Sequence, residues 1–172
     1  MKKCVTVLLI CALALLCGCQ KNTEEPVETA PPLRVATAQQ ALDTAMASAT
    51  EEDEEVPAYL KEMDKRTSWT VLSAEDGDGI GQATVKVSAP DLYGVIKSLE
   101  QEVFPDTQAM DSAVTEALQA APLREQVLVV EFQLDGIRWE ALISEEFADA
   151  CYGGLLTYRT ELYASLEGVL LQ

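Results

Sequence analysis

The sequence predicts an α+β protein with an antiparallel sheet of about four strands and helices packed on one face. Three observations lead there. Two stretches, SWTVLSAE with IGQATVKVS and then REQVLVVEFQLDGIRWEALIS, alternate apolar and polar residues on either side of short Gly/Asp turns, the pattern of half-buried hairpins. Segments with apolar residues three and four apart, rich in strong helix formers, lie before, between and after them. Strands and helices also come in blocks rather than in strict alternation, the order of an antiparallel sheet with segregated helices rather than of βαβ units.

The first 18 residues stand apart from that fold. Met1-Lys2-Lys3 is basic, and VTVLLICALALLCG is apolar but shorter than the ~20 residues a bilayer span needs, so the segment reads as a secretory signal peptide. Its end, Leu16-Cys17-Gly18-Cys19, resembles the bacterial lipobox. That resemblance implies cleavage between Gly18 and Cys19 and a lipid on Cys19. With two or more acyl chains, each buried methylene contributing ~0.8 kcal/mol, the attachment is stable. The expected protein is therefore lipid-anchored to the cell membrane on its extracytoplasmic side, without crossing it. Residues 19–35, the lipidated cysteine and a polar, proline-bearing run, read as a flexible tether holding the domain ~20–25 Å from the lipid. Residues 36–172 read as one α+β domain.

Within the domain, ATAQQALDTAMASAT places Ala41, Leu42, Ala45, Met46 and Ala49 at helical spacing. The acidic run at 51–55 precedes a second helix in VPAYLKEMDKR, with Pro57 early, where its missing donor does no harm, and Tyr59, Leu60 and Met63 on one face. The first hairpin turns at Asp76-Gly77-Asp78-Gly79. A twelve-residue calcium loop begun at Asp76 would carry Ile80 and Val87 at its fifth and twelfth positions, where ligands belong, so this is turn chemistry. Ser88-Ala89-Pro90-Asp91 has the form of a capping box opening a helix over LYGVIKSLEQEVF, with Leu92, Val95, Ile96, Leu99 and Val103 in one stripe. Pro105-Asp106 interrupts, and TQAMDSAVTEALQAA resumes through Met110, Val114, Ala117 and Leu118. In the second hairpin Val130, Phe132 and Leu134 alternate, Asp135-Gly136 turns the chain, and Ile137, Trp139, Ala141 and Ile143 alternate again. Ser144 then caps a closing helix with Glu145 and Glu146 in its first turn and Phe147, Cys151, Leu155, Tyr158, Leu162, Leu166 and Val169 on one continuous face. Gly153 and Gly154, each costing a helix ~1 kcal/mol relative to alanine, mark close packing or a kink in it.

Charge and cysteine content narrow the chemistry. The chain has 12 Lys and Arg against 29 Asp and Glu, a net of −17, so phosphate backbones and anionic headgroups are repelled and nucleic acid is no partner. There is no histidine, which removes Ser-His-Asp and Cys-His catalysis and imidazole-based zinc sites. Of five cysteines, Cys4, Cys11 and Cys17 leave with the signal and Cys19 takes the lipid. Cys151 remains, with no partner for a disulfide, on an apolar face with no base or cation nearby in sequence, as a small buried apolar group does. The acids at 51–55 read as a solvated helix start rather than a metal site. No catalytic, cofactor or metal residues are assigned.

WTVLSAEDGDGIGQATVKVSAPDLYGVI and VEFQLDGIRWEALISEEFADACYGGL are similar to segments of secreted lipoproteins, mostly from Gram-positive bacteria. The shared elements are a strand, a Gly/Asp turn, a TVKV-type strand running into a Pro-Asp helix start, and a strand ending DG-x-x-W. The resemblance spans roughly residues 36–160 and implies a cystatin-like or nuclear-transport-factor-2-like domain, non-enzymatic and extracytoplasmic, followed here by a C-terminal helix.

Three functional readings follow. In the first, the chain is a non-catalytic binding or scaffolding module acting on an envelope protein through its sheet or acidic face. In the second, it is a small-ligand receptor with Trp69, Trp139 and Tyr93 lining a pocket on the curved sheet. The third is a hydrolase with paired carboxylates, Glu131 and Glu140 across the second hairpin, although both alternate with apolar residues and so face water.

Overall fold

Alternation along the two hairpins builds one four-stranded antiparallel sheet, in the order β1 (Ser68–Asp76), β2 (Ile80–Pro90), β3 (Leu123–Asp135), β4 (Arg138–Leu142). The computed structural model describes residues 30–48 and 56–170. The signal peptide, the cleavage and lipidation pair Gly18 and Cys19, the tether up to residue 29 and the acidic run 51–55 lie outside the described residues.

The register sets which residues face inward. Val85 pairs with Val71 on one side and Leu128 on the other, Ala83 with Ala74 and Val130, and Phe132 with Gly81 and Ala141. Their side chains form the inner face, with Val71, Ala83, Val85, Val130 and Phe132 buried. Residues out of phase with them point the other way, and Val127 and Val129 are each 59% exposed on that outer face. A bulge between Val71 and Ser73 admits Leu72 as an extra residue, and it too is exposed. Gly79, at φ 79°, and Gly136, at φ 61°, supply the left-handed backbone the two hairpin turns need. The second turn is Gly136-Ile137, closed by the Asp135–Arg138 pair, so Ile137 lies in the turn rather than in the strand.

Helix α1 (Val35–Ser48) lies against the inner face, touching the two edge strands β1 and β4, with Ala38 and Leu42 fully buried. A main core joins these to the inner-face residues and to Phe147, Ala150 and Cys151 of α5 (Glu145–Cys151). Full burial of side chains such as Phe132, Phe147 and Leu42 contributes ~1.5–3 kcal/mol each. A second core sits at the Ala89 end of the sheet, where α2 (Ala58–Arg66), α3 (Leu92–Leu99) and α4 (Thr107–Ala120) bring Met63, Leu92, Val95, Val114 and Leu118 together.

Several local expectations change. Ser88 to Pro90 continue β2 instead of capping α3, and the N-cap is Asp91, whose carboxylate accepts from Gly94 N–H at 3.1 Å. Helix α3 ends at Leu99 because a tight turn from Glu102 N–H to Leu99 C=O follows, leaving Val103 96% exposed and off the stripe. The closing segment is two helices, α5 and α6 (Leu155–Leu170), not one. Gly153 and Gly154, at φ 60° and 89°, break it, and a Cβ on Gly153 would collide with the Pro90 carbonyl. Asp149 then accepts from the N–H groups of Leu156 (2.7 Å) and Thr157 (3.2 Å), capping the new helix start. Leu162, placed on the buried face by spacing alone, is 41% exposed.

Candidate functional site: a cleft between α1 and the free edge of β4

The chain enters the domain along the sheet end. Leu33 N–H donates to Asp76 at 3.1 Å, and the Leu33 side chain, 3% exposed, packs over Gly81, where any Cβ would strike it. Composition alone runs the tether to residue 35; within that stretch the Leu33 side chain is buried and the Pro31 carbonyl is bonded to the sheet, while Pro32 and Arg34 are exposed. Trp139 Nε1–H donates to Pro31 C=O at 2.8 Å, tying this entry segment to β4.

From there α1 presents three faces. Ala38 and Leu42 go into the core. Gln39 and Asp43 lock onto β1: Gln39 Oε1 accepts from Val71 N–H (2.9 Å), and Asp43 Oδ1 accepts from Trp69 Nε1 (2.8 Å) and Gln39 Nε2 (2.9 Å). The third face, Thr37, Gln40, Ala41, Thr44, Ala45 and Ser48, looks across a cleft of about 710 Å³ at Ile137 of the hairpin turn and residues 138–141 of β4. Apart from Gln40, the side chains on this face are small and leave that space open.

The other wall is strand edge. Leu134 N–H donates to Gly79 C=O and Asp91 N–H to Pro122 C=O, which fixes the even-numbered residues of β3 as those bonded to β2. The odd-numbered residues of β3 therefore turn to β4, where Glu131, Gln133 and Asp135 pair with Leu142, Glu140 and Arg138. By alternation, the backbone N–H and C=O groups of Trp139 and Ala141 point out from the free edge of the sheet, beside the cleft. Among the described residues neither backbone has another hydrogen-bond partner. The same parity leaves the Leu123–Val129 part of β3 without a neighbour beyond β4's end.

The residues singled out from sequence are dispersed. Trp139 lines the cleft, whereas Trp69 is bonded to Asp43 on the β1 side of α1. Tyr93 sits elsewhere, tying α3 to α6: its hydroxyl donates to Glu161 at 2.8 Å, its ring meets Tyr158 edge-on at 6.3 Å, and Lys97 lies over both rings. The bond to Glu161 holds the Tyr93 phenol above its usual range. Glu131 and Glu140 are not opposite one another, since Glu131 pairs with Leu142 and Glu140 with Gln133, and both are exposed on the outer face. Cys151 is buried, and burial pushes its thiol up to about 12.

Sequence reasoning missed the cleft because α1 and β4 lie about a hundred residues apart. The signal in the sequence is the run Ala41, Thr44, Ala45, Ser48, too small for a helix face meant to pack tightly. Among the described residues no group of three acidic or cysteine side chains is placed to hold a metal ion, and no helix is long and apolar enough to cross a membrane. No protein-family model matches the chain, and comparison with curated proteins and with solved structures returns no match.

Proposed function

We propose that this chain is a non-catalytic binding module, held on the extracytoplasmic face of the membrane by a lipid on Cys19, whose binding surface is the α1–β4 cleft. The observation that carries the reading is the cleft itself: a concavity of ligand-site size with one wall of strand-edge backbone groups that have no partner among the described residues and one wall of mostly small side chains. The cystatin-like form of the domain is part of the same proposal, supported by a helix lying against one face of a four-stranded antiparallel sheet. The buried, strongly raised Cys151 thiol and the out-of-register Glu131 and Glu140 favour binding over covalent or acid–base chemistry.

Two measurements test it. Intact mass of membrane fractions should show an acylated species beginning at Cys19 that disappears in Cys19→Ser; a full-length, unacylated wild-type chain defeats the anchor. Pull-down of the wild-type chain from its native membrane should retain a partner that Thr44→Trp, which fills the cleft from its exposed helical wall, loses. Equal recovery by both would move the binding surface elsewhere. Trp139 in the cleft wall keeps a small apolar ligand as the second reading, and its mark would be a change in tryptophan fluorescence on adding a low-molecular-weight membrane extract.

A further inference from the structure

Resting on that reading, we infer that the cleft takes an extended, cationic polypeptide segment, added to β4 as a fifth strand. Trp139 and Ala141 are two residues apart on one edge, so their outward N–H and C=O groups repeat at the ~6.6–6.8 Å spacing of a strand's own alternate residues. A polypeptide backbone matches that repeat, and main-chain pairing of this kind supplies affinity without demanding one side-chain sequence. The five residues of β4 set the length of the added strand.

The second wall decides what can enter. Because α1 stands across the cleft from β4, the edge of another folded sheet is kept out, while a single extended segment fits the space. Ala41 and Ala45 opposite the strand accommodate small and medium side chains. Arg138 and Glu140 border the cleft but alternate with Trp139 and Ala141 onto the outer face, so the field of the whole chain, net −17, sets the preference and favours a positively charged segment over a second copy of this acidic protein.

The experiment uses the full chain in neutral detergent and a fluorescein-labelled peptide, Lys-Thr-Val-Thr-Val-Thr-Lys, followed by anisotropy, with hydrogen exchange at Trp139 and Ala141 as the direct readout. Saturable binding is expected, weakened at least tenfold when both lysines become glutamates and at least tenfold when the central threonine becomes proline. Exchange at the Trp139 and Ala141 amides should slow. Ala141→Pro removes an N–H of the free edge and none from the β3–β4 ladder, so it should lower affinity at least tenfold with folding retained; Thr44→Trp does the same from the helical wall should the proline variant not fold. Unchanged affinity in Thr44→Trp, equal binding of the glutamate peptide, or unchanged exchange at Trp139 and Ala141 overturns the inference. A chain lacking residues 20–29 that binds tenfold more tightly overturns it too, since the cleft's occupant is then the chain's own leader, as does sedimentation showing a dimer that Ala141→Pro dissolves. If the peptide fails while the native pull-down still loses its partner in Thr44→Trp, the binding-module reading stands and only the strand is lost.

Discussion

Cys151 shows how one side chain's environment sets its chemistry. It is 5% exposed in the main core, and burial alone raises its thiol from the ordinary 9.0 to about 12. A thiol raised in the folded state keeps its proton there after the unfolded chain has lost it. Its contribution is thus complete below pH ~9 and is lost between about 9 and about 12, at up to ~1.4 kcal/mol per pH unit. Chemical denaturation of wild type should therefore weaken more steeply above pH 9 than that of Cys151→Ala, which pays instead a small pH-independent cavity cost of ~1 kcal/mol. Parallel pH slopes would show the thiol to be solvated. In native buffer near pH 8 the thiol should resist alkylation until the chain unfolds.

Among the elements, α2 and α4 depend on one another's termini. Pro57, the N-cap of α2, has no side-chain oxygen to offer, and the Ala58 and Tyr59 N–H groups are instead accepted by Asp111 of α4, at 3.2 and 3.3 Å. At the other end Arg66 of α2 donates to the Leu118 and Ala121 carbonyls that close α4. The helices therefore run side by side in the same direction, and their aligned dipoles are each met by the opposite charge: a carboxylate at the start of α2, a guanidinium at the end of α4. Asp111→Asn, which keeps the shape and one acceptor, should cost less than ~1 kcal/mol, and Asp111→Ala ~1–2 kcal/mol, by thermal or urea unfolding. Combined with Arg66→Ala, the loss should fall short of the two single losses added, because both act on one helix pair. Strict additivity would mean the two ends are independent. Neither partner could be found by periodicity, which reports the face of a helix and says nothing of its neighbour's end groups.

Across the whole molecule, the entry segment and the two indoles hold the sheet's edges to α1. Trp69 ties β1 to Asp43 and Trp139 ties β4 to Pro31, while Leu33 closes the end over Gly81. Truncating Leu33 should therefore behave as a core mutation: Leu33→Ala is expected to destabilise by ~2–4 kcal/mol and to speed exchange at the Trp139 amide. A change under ~0.5 kcal/mol would return Leu33 to the tether. The two hydrophobic cores meet along β2, whose Val87 belongs to one and Ala89 to the other, so this strand carries the connection between the sheet and the helices α2 to α4.

The sequence by itself determined the α+β class, both hairpins and the inward residues of their strands other than Ile137 and Ile143, which fall outside β4 and are exposed, together with most of the helical segments, because these follow from local periods of 2 and 3.6 that adjacent residues must satisfy together. It also marked the Gly153-Gly154 break as a place of close packing or bending, though not that the chain would restart as a separate helix. Only the tertiary structure decided the early docking of Pro31 and Leu33, the scattering of Trp69, Trp139 and Tyr93, and the opening of a cleft along β4. Those outcomes depend on where α1 lies relative to a strand a hundred residues away, and a composition or spacing rule that sees one segment at a time carries no information about the distance between two.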